Sequence, residues 1–203
     1  MASDEYLPKN HFEIIKSLRP DQKIVNMRGK FDINKIDMPE QKDGKKPRGL
    51  WYASGGEWIE WLADHLPGWI GDSIYELALD EGEMFFIKSA KELLAFNKEF
   101  SVGDDFLSGI GWDALEEKGF GGIEISPHQE GLTQSLDMSL LWYWGWDVAS
   151  GCIWDPSLFL GAKLLYSLDK EQNIWVPASE DPVDLSDKID EQVLREHFKR
   201  FLT

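Results

Sequence analysis

Residues 46–66, KPRGLWYASGGEWIEWLADHL, decide how the chain is read, together with residues 119–126, GFGGIEIS. In the first stretch an apolar run (Gly49, Leu50, Trp51, Tyr52, Ala53) stops at Ser54-Gly55-Gly56, and Trp58, Ile59, Trp61, Leu62 and Leu66 then recur at helical spacing. The expected local structure is a strand feeding a helix through a glycine turn, with Ser54 and the two glycines as the N-cap and turn of that helix. In the second stretch a glycine pair leads into Ile123-Glu124-Ile125, a short strand with one carboxylate between two apolar residues. Alternation leaves that carboxylate either facing water or held in a cleft.

The remaining composition narrows the class. With 203 residues and 42% hydrophobic content, the chain can build one sizeable core, so a single domain over 1–203 is expected. Ten Trp are more than a core of this size absorbs without partners for their N–H groups, so some of the rings are expected to line a groove. A formal charge of −16 repels polyphosphate, which argues against non-specific nucleic-acid binding and against an anionic membrane. Small molecules and basic protein surfaces remain as partners. Against that background Lys42, Lys45, Lys46 and Arg48 form a local basic cluster. Cys152 has no second cysteine to pair with, and no His/Cys spacing suggests a metal, so none is expected. The N-terminal MASDEYLPKNHFEII lacks a signal-peptide pattern, and no apolar run reaches the roughly 18 residues of a membrane span. A cytoplasmic protein is expected; signal-free delivery to a host cell leaves no mark in a sequence.

Outward from the organising stretch, residues 4–18 read as a helix with Phe12, Ile15 and Leu18 as its apolar contacts, within an N-terminal helical extension over 1–20. Residues 23–27 read as a strand ending at Arg28-Gly29, and 32–46 as a loop. Residues 73–79 and 84–87 read as a hairpin about Asp80-Glu81-Gly82-Glu83. Ser89 and Glu92 form a capping box ahead of a helix carrying Leu93, Leu94, Phe96 and Phe100. A short helix with Trp112 and Leu115 precedes the Glu124 strand. Residues 140–148, LLWYWGWDV, read as a central strand with Trp142, Trp144 and Trp146 on one side. Residues 158–168 and 173–176 read as a second hairpin, and 180–203 as an acidic connection followed by an amphipathic helix. The sum is an α+β domain with mostly antiparallel pairing and flanking helices.

The succession of a strand ending in Arg-Gly, a strand ending in aromatic-x-Ser before a helix, the YELAL and MFFIKS strands, the SAKELLAFNKEF helix and a strand with an embedded Glu resembles the mono-ADP-ribosyltransferase fold over residues 23–156. It also resembles uncharacterised phage and bacterial proteins with KPxGLWxS and GWDxxS segments, here residues 46–54 and 145–150. The resemblance implies a split sheet around an NAD cleft, a transferase that moves ADP-ribose to a protein or nucleic-acid acceptor, and a toxin- or effector-like role. It implies Glu124 as the catalytic carboxylate, Arg28 with Gly29 at the pyrophosphate or ribose, Trp51 and Tyr52 on the nicotinamide, and Ser54 as a hydrogen-bonding residue. Arg48 rivals Arg28, since it too sits at a strand edge. Gly122 stands two residues before Glu124, where arginine-modifying transferases carry Glu or Gln, which argues against arginine as acceptor.

Plainer readings stand beside these. Arg28 is also an ordinary surface cation, and Trp58 and Trp61 at helical spacing are also core residues. The Trp142, Trp144, Trp146 row reads as core, with Tyr143 or Trp144 available at a cleft edge. His128 is the histidine nearest the implied site, and Cys152 reads as a buried thiol without a partner base. The glycines at 119, 121 and 122 precede a strand and not a helix, so they are no phosphate loop. The alternative function is a non-catalytic, acidic, Trp-rich module, an inhibitor or immunity protein, engaging a basic protein.

Overall fold

The Lys23–Met27 segment, KIVNM, alternates a Lys, Val, Met face with an Ile, Asn face, and in the computed structural model it forms strand β1 near the middle of the sheet. The structure describes residues 7–103, 109–133 and 137–179. The further strands are β2 (Leu50–Ser54), β3 (Ser73–Leu79), β4 (Met84–Ile87), β5 (Ser101–Val102), β6 (Gly109–Ile110), β7 (Gly122–Ile125), β8 (Ser150–Ile153), β9 (Phe159–Asp169) and β10 (Ile174–Pro177). The helices are α1 (His11–Ser17), α2 (Glu57–His65), α3 (Ala90–Phe100), α4 (Trp112–Glu117) and α5 (Glu130–Thr133). Eight strands make one sheet in the order β10-β9-β3-β1-β2-β8-β7-β4, antiparallel everywhere except between β7 and β4. The fold is mixed α+β with a large, mostly antiparallel sheet.

Three packed clusters hold the sheet. Phe31 and Ile33, from the loop after β1, cover one face together with Leu50, Tyr52, Tyr75, Leu77, Met84 and Phe159. The indoles of Trp112, Trp142 and Trp146, with Phe96 and Phe100 of α3, pack on Ile87, Ile123, Ile125 and Cys152. Ile14 and Ile15 of α1 and Ile59 of α2 pack on Ile24, Ile74 and Trp175. Each fully buried large side chain of this kind contributes roughly 1.5–3 kcal/mol.

Several expected elements stand as read: β1, the β9/β10 hairpin, the Glu124 strand and the α3 cap, where the Glu92 N–H donates to Ser89 Oγ at 3.3 Å. Others differ for physical reasons. Strands β3 and β4 are not a hairpin: β3 lies between β9 and β1, while β4 pairs in parallel with β7 at the opposite edge. A parallel pair needs a crossover, which α3 and α4 supply. Residues 140–148 are not a strand but run through two 3₁₀ turns, Met138–Leu140 and Tyr143–Gly145, which bury Trp142, Tyr143 and Trp146 and leave Trp144 47% exposed. The Trp142 N–H donates to Asn97 Oδ1 at 2.7 Å, so its partner lies on α3 and not in a ladder. Helix α1 begins at His11, and Ile14 takes the inward place expected of Phe12, which is 49% exposed. The N-cap of α2 is Gly56 with no side-chain cap, while Ser54 ends β2. Gly55 makes the intervening turn at φ 55°, a left-handed conformation that favours glycine. The expected terminal helix over 180–203 and the segment 1–6 lie outside the described residues.

His11 is 1% exposed, its Nδ1 accepts from the Trp175 indole at 3.4 Å, and among the described residues its Nε2 makes no hydrogen bond of ordinary geometry, the nearby Ile59 carbonyl interacting only weakly. Burial pulls its pKa below the ordinary 6.5 against a smaller upward push from the Ile59 carbonyl. The unfolded chain therefore takes up the proton first, so this contribution to stability is complete above pH 6.5 and is lost as pH falls toward the depressed folded value. The carboxyls of Asp32 and Asp72, held below 3.8 chiefly by hydrogen bonds from Lys35 and Lys170, act only in a more acid window. Urea midpoints are thus expected to drop between pH 7 and pH 5 in the parent chain and to drop less in His11→Gln, which keeps a polar side chain but does not titrate.

Candidate functional site

On the sheet face that carries Tyr52, a line of residues crosses β2, β8 and β7: Tyr52 opposes Gly151, and Gly151 opposes Glu124. Because Gly151 has no side chain, the Tyr52 ring lies flat over β8 and its hydroxyl donates to Glu124 Oε2 at 2.8 Å. A Cβ built at Gly151 would stand 2.4 Å from Tyr52 Cζ. The Lys23 ammonium from β1 pairs with the same oxygen and lies 3.5 Å from Glu81 Oε1. Ser54 Oγ donates to Ser126 Oγ at 3.3 Å, two residues beyond Glu124. Glu124 is 7% exposed, and a carboxylate buried that far without a cation costs several kcal/mol. Lys23 and the Tyr52 hydroxyl offset part of that cost. Both bonds to Glu124 fall on Oε2, and among the described residues none reaches Oε1. Burial first, then the charge and hydrogen bond of Glu124, raise the Tyr52 pKa well above 10, so its hydroxyl stays a donor.

Beside this cluster the sheet comes apart. Strand β1 pairs with β2 through only two residue pairs, Lys23↔Ser54 and Ile24↔Ala53, whereas it pairs with β3 through five. Beyond Ile24 the strands diverge, and a cleft of about 340 Å³ opens against Asn26 on one side and Trp51 and Tyr52 on the other. Trp58, Trp146, Lys46 and Asp147 are also on its wall. Trp58 stacks on Trp61 at 5.0 Å and Trp61 on His65 at 4.5 Å, so the expected core pair is instead an aromatic column along α2 that ends at the cleft. The Trp51 and Trp146 rings lie 4.8 Å apart, and Lys46 Nζ stands 5.1 Å from the Trp51 centroid.

The structure thus joins Tyr52 to Glu124, sets Ser54 against the strand end after Glu124, and puts Trp51 on the cleft wall. It leaves Arg28 and Gly29 elsewhere. The exposed Arg28 donates Nη2–H to the Gly68 carbonyl at 2.6 Å, and the Gly29 N–H donates to Asp72 at 2.6 Å. Arg28 follows Lys23 by five residues, about 16 Å of extended strand. Arg48 is exposed and 3.9 Å from Asp37. His128 bonds the Trp146 carbonyl, and the buried Tyr143 hydroxyl accepts from the Gln129 N–H at 2.8 Å. Cys152 is fully buried, and burial raises its thiol pKa well above 9. Among the described residues no group of three or more His, Cys, Asp or Glu lies close enough to hold a metal ion, and no helix is long and apolar enough to cross a membrane.

Lys23, Lys46, Trp58, Trp146 and Gly151 were not assigned to the site from sequence. Lys23 carried a signal: alternation puts it on the same face as Val25 and Met27, an inward lysine that needs a counter-charge. Gly151 carried another, since glycine within a strand marks close approach of a neighbour. The chain matches no protein-family model, no curated protein and no solved structure.

Gly151→Ala forces the Tyr52 ring off Glu124 and is expected to lower unfolding free energy by about 1–3 kcal/mol. Gly161→Ala in β9, where an added Cβ meets nothing within 4 Å, is expected to stay within about 0.5 kcal/mol in the same urea titration.

Proposed function

We propose that the chain is an NAD-dependent, mono-ADP-ribosyltransferase-like enzyme acting at the cleft between β1 and β2. The observation that carries this reading is that Tyr52 lines the cleft and at the same time touches, at 2.8 Å, the buried carboxylate of Glu124, which does not itself line the cleft. A cleft of about 340 Å³ is near the lower end of ligand sites, which run from about 300 Å³. It suits the nicotinamide and its ribose, with the adenosine half extending past the mouth.

The chemistry asked of Glu124 is electrostatic. When the bond between ribose C1′ and the nicotinamide nitrogen breaks, its electron pair goes to the ring nitrogen and positive charge develops on the sugar. A carboxylate fixed in advance stabilises that charge without the reorganisation that water requires. Lys23 and Tyr52 both hold Oε2, which orients the group and leaves Oε1 without either contact. The acceptor's nucleophile then bonds to C1′ and loses its proton. The indoles of Trp51, Trp58 and Trp146 suit a pyridinium ring, whose charge is attracted to their faces.

One feature supports the second reading, an acidic module for a basic protein. Trp69 is 67% exposed, and close by in sequence the exposed Glu60 and Asp64 of α2 have no ion-pair partner among the described residues.

Glu124→Gln keeps the shape and a hydrogen bond to Tyr52 but removes the charge. With labelled NAD and cell lysate, nicotinamide release is expected to fall by about 100-fold or more, with the folded circular-dichroism spectrum retained at assay temperature although the melt drops as Lys23 loses its counter-charge. Release that continues unchanged in Glu124→Gln removes the transferase site from this carboxylate. No release from the parent chain, combined with saturable capture of a basic protein, supports the module.

A further inference from the structure

Among the described residues Lys46 is the only cationic side chain lining the cleft, and like its neighbours Lys42 and Lys45 it is held by no salt bridge. Lys23, Lys35, Lys118 and Lys170 each pair with a carboxylate. Lys46 forms no ion pair among the described residues. Its ammonium instead lies over the Trp51 ring, and Asp147 on the same cleft does not pair with it. The backbone leading to it is pinned: Gly44 pairs with Ile110, and the Trp112 indole N–H donates to the Gly44 carbonyl at 3.0 Å. The side chain runs past Gly145, where an added Cβ would lie 3.3 Å from Lys46 Cε. The charge is therefore placed at the cleft by neighbours that offer it no anion.

A second group in the same wall lacks a partner. Trp146 is 1% exposed, and its indole N–H is buried without an acceptor. Leaving such a donor unmade costs about 1–3 kcal/mol. Asn26, the other polar side chain on the wall opposite Trp51, is already used, since its Oδ1 accepts from the Gly71 N–H and its amide donates to the Ser73 carbonyl. The charged groups left on the wall are the Lys46 ammonium and the Asp147 carboxylate, beside the rings of Trp51, Trp58 and Trp146; the Trp146 N–H is closed to solvent and is not presented to a ligand.

We infer that Lys46 is the anion anchor of the cleft: the ligand presents a phosphate to its ammonium while a planar ring lies among Trp51, Trp58 and Trp146. This rests on the reading of the cleft as a nucleotide site, and it moves the phosphate contact from Arg28, at the far end of β1, to the loop before β2. The column of Trp58, Trp61 and His65 gives the ring a stiff wall to stack on.

The test is indole fluorescence titrated with ADP and, as an uncharged comparator, adenosine. The full chain is expected to show saturable quenching by ADP, tighter than by adenosine. Lys46→Ala, an exposed position whose loss leaves the core intact, is expected to weaken ADP about tenfold and to leave adenosine unchanged. Lys46→Arg is expected to restore most of the affinity, and Arg28→Ala to change nothing. ADP binding that is equally tight in Lys46→Ala, that is lost in Arg28→Ala instead, or that does not saturate in the parent chain overturns the assignment. Failure of the transferase reading shows separately, as nicotinamide release that persists in Glu124→Gln, because the fluorescence titration needs no turnover.

Discussion

One carboxylate oxygen holds the centre of this molecule together. Oε2 of Glu124, on β7, takes the ammonium of Lys23 from β1 and the hydroxyl of Tyr52 from β2, with β8 passing beneath through Gly151. Four adjacent strands are thereby tied on one face by a polar contact in an otherwise apolar cluster. Burial gives the contact its force in both directions. In a low-dielectric setting the satisfied group of three is rigid, and removal of any member strands a charge or a donor. The single Cβ absent at 151 is as much a part of the arrangement as the three side chains.

The split between β1 and β2 follows from the same region. The two strands pair only at Lys23 and Ile24, at the end where Glu124 and Tyr52 gather the sheet. Further along, β1 stays with β3 over its whole length, and Asn26 is tied by hydrogen bonds to Gly71 and Ser73 on that side. Strand β2 stays with β8 over four pairs. Each strand keeps its outer neighbour, so the seam is where the sheet yields, and it fills with indole instead of backbone hydrogen bonds. The strand walls of the cleft are fixed by two well-paired half-sheets.

How much of this could be read from the residues depends on the range of the forces. Alternation placed β1 and β7, helical spacing and Ser89 placed α3, and the turn at 169–173 placed the last hairpin, because all of these are local. The partner of β4 was not legible. Nothing in MFFI distinguishes a hairpin with SIYELAL from a parallel edge beside GIEI, since that choice is settled by the α3 and α4 crossover. The 140–148 run misled for a related reason: alternating Trp fits a strand, but the segment runs through two 3₁₀ turns and its Trp142 indole donates to Asn97 on α3, a tertiary contact the alternation does not encode. For the site, Glu124 and Tyr52 were legible as types of residue at strand positions, whereas their contact depended on Gly151 lying between them. Arg28 looked suited to an anion because it ends β1, yet a strand's two ends are far apart and the cleft opens along its middle.

The overall charge and the local charge then point in different directions, and distance decides between them. A net −16 sets the long-range field, and it disfavours polyanions at the approach. Within the cleft the relevant scale is shorter, because at ordinary ionic strength charges more than about 10 Å away are largely screened. There the nearest unpaired charge is the ammonium of Lys46, set against indole faces that exclude water on one side. A small ligand with one or two phosphates meets that ammonium, and the Asp147 carboxylate on the same wall, at short range and the other carboxylates only through screening solvent, whereas a nucleic-acid backbone would span many of them. Under the proposed reading, a chain that rejects a polymer of phosphates still admits a single nucleotide, and the discrimination would come from the placement of one lysine and not from the total charge.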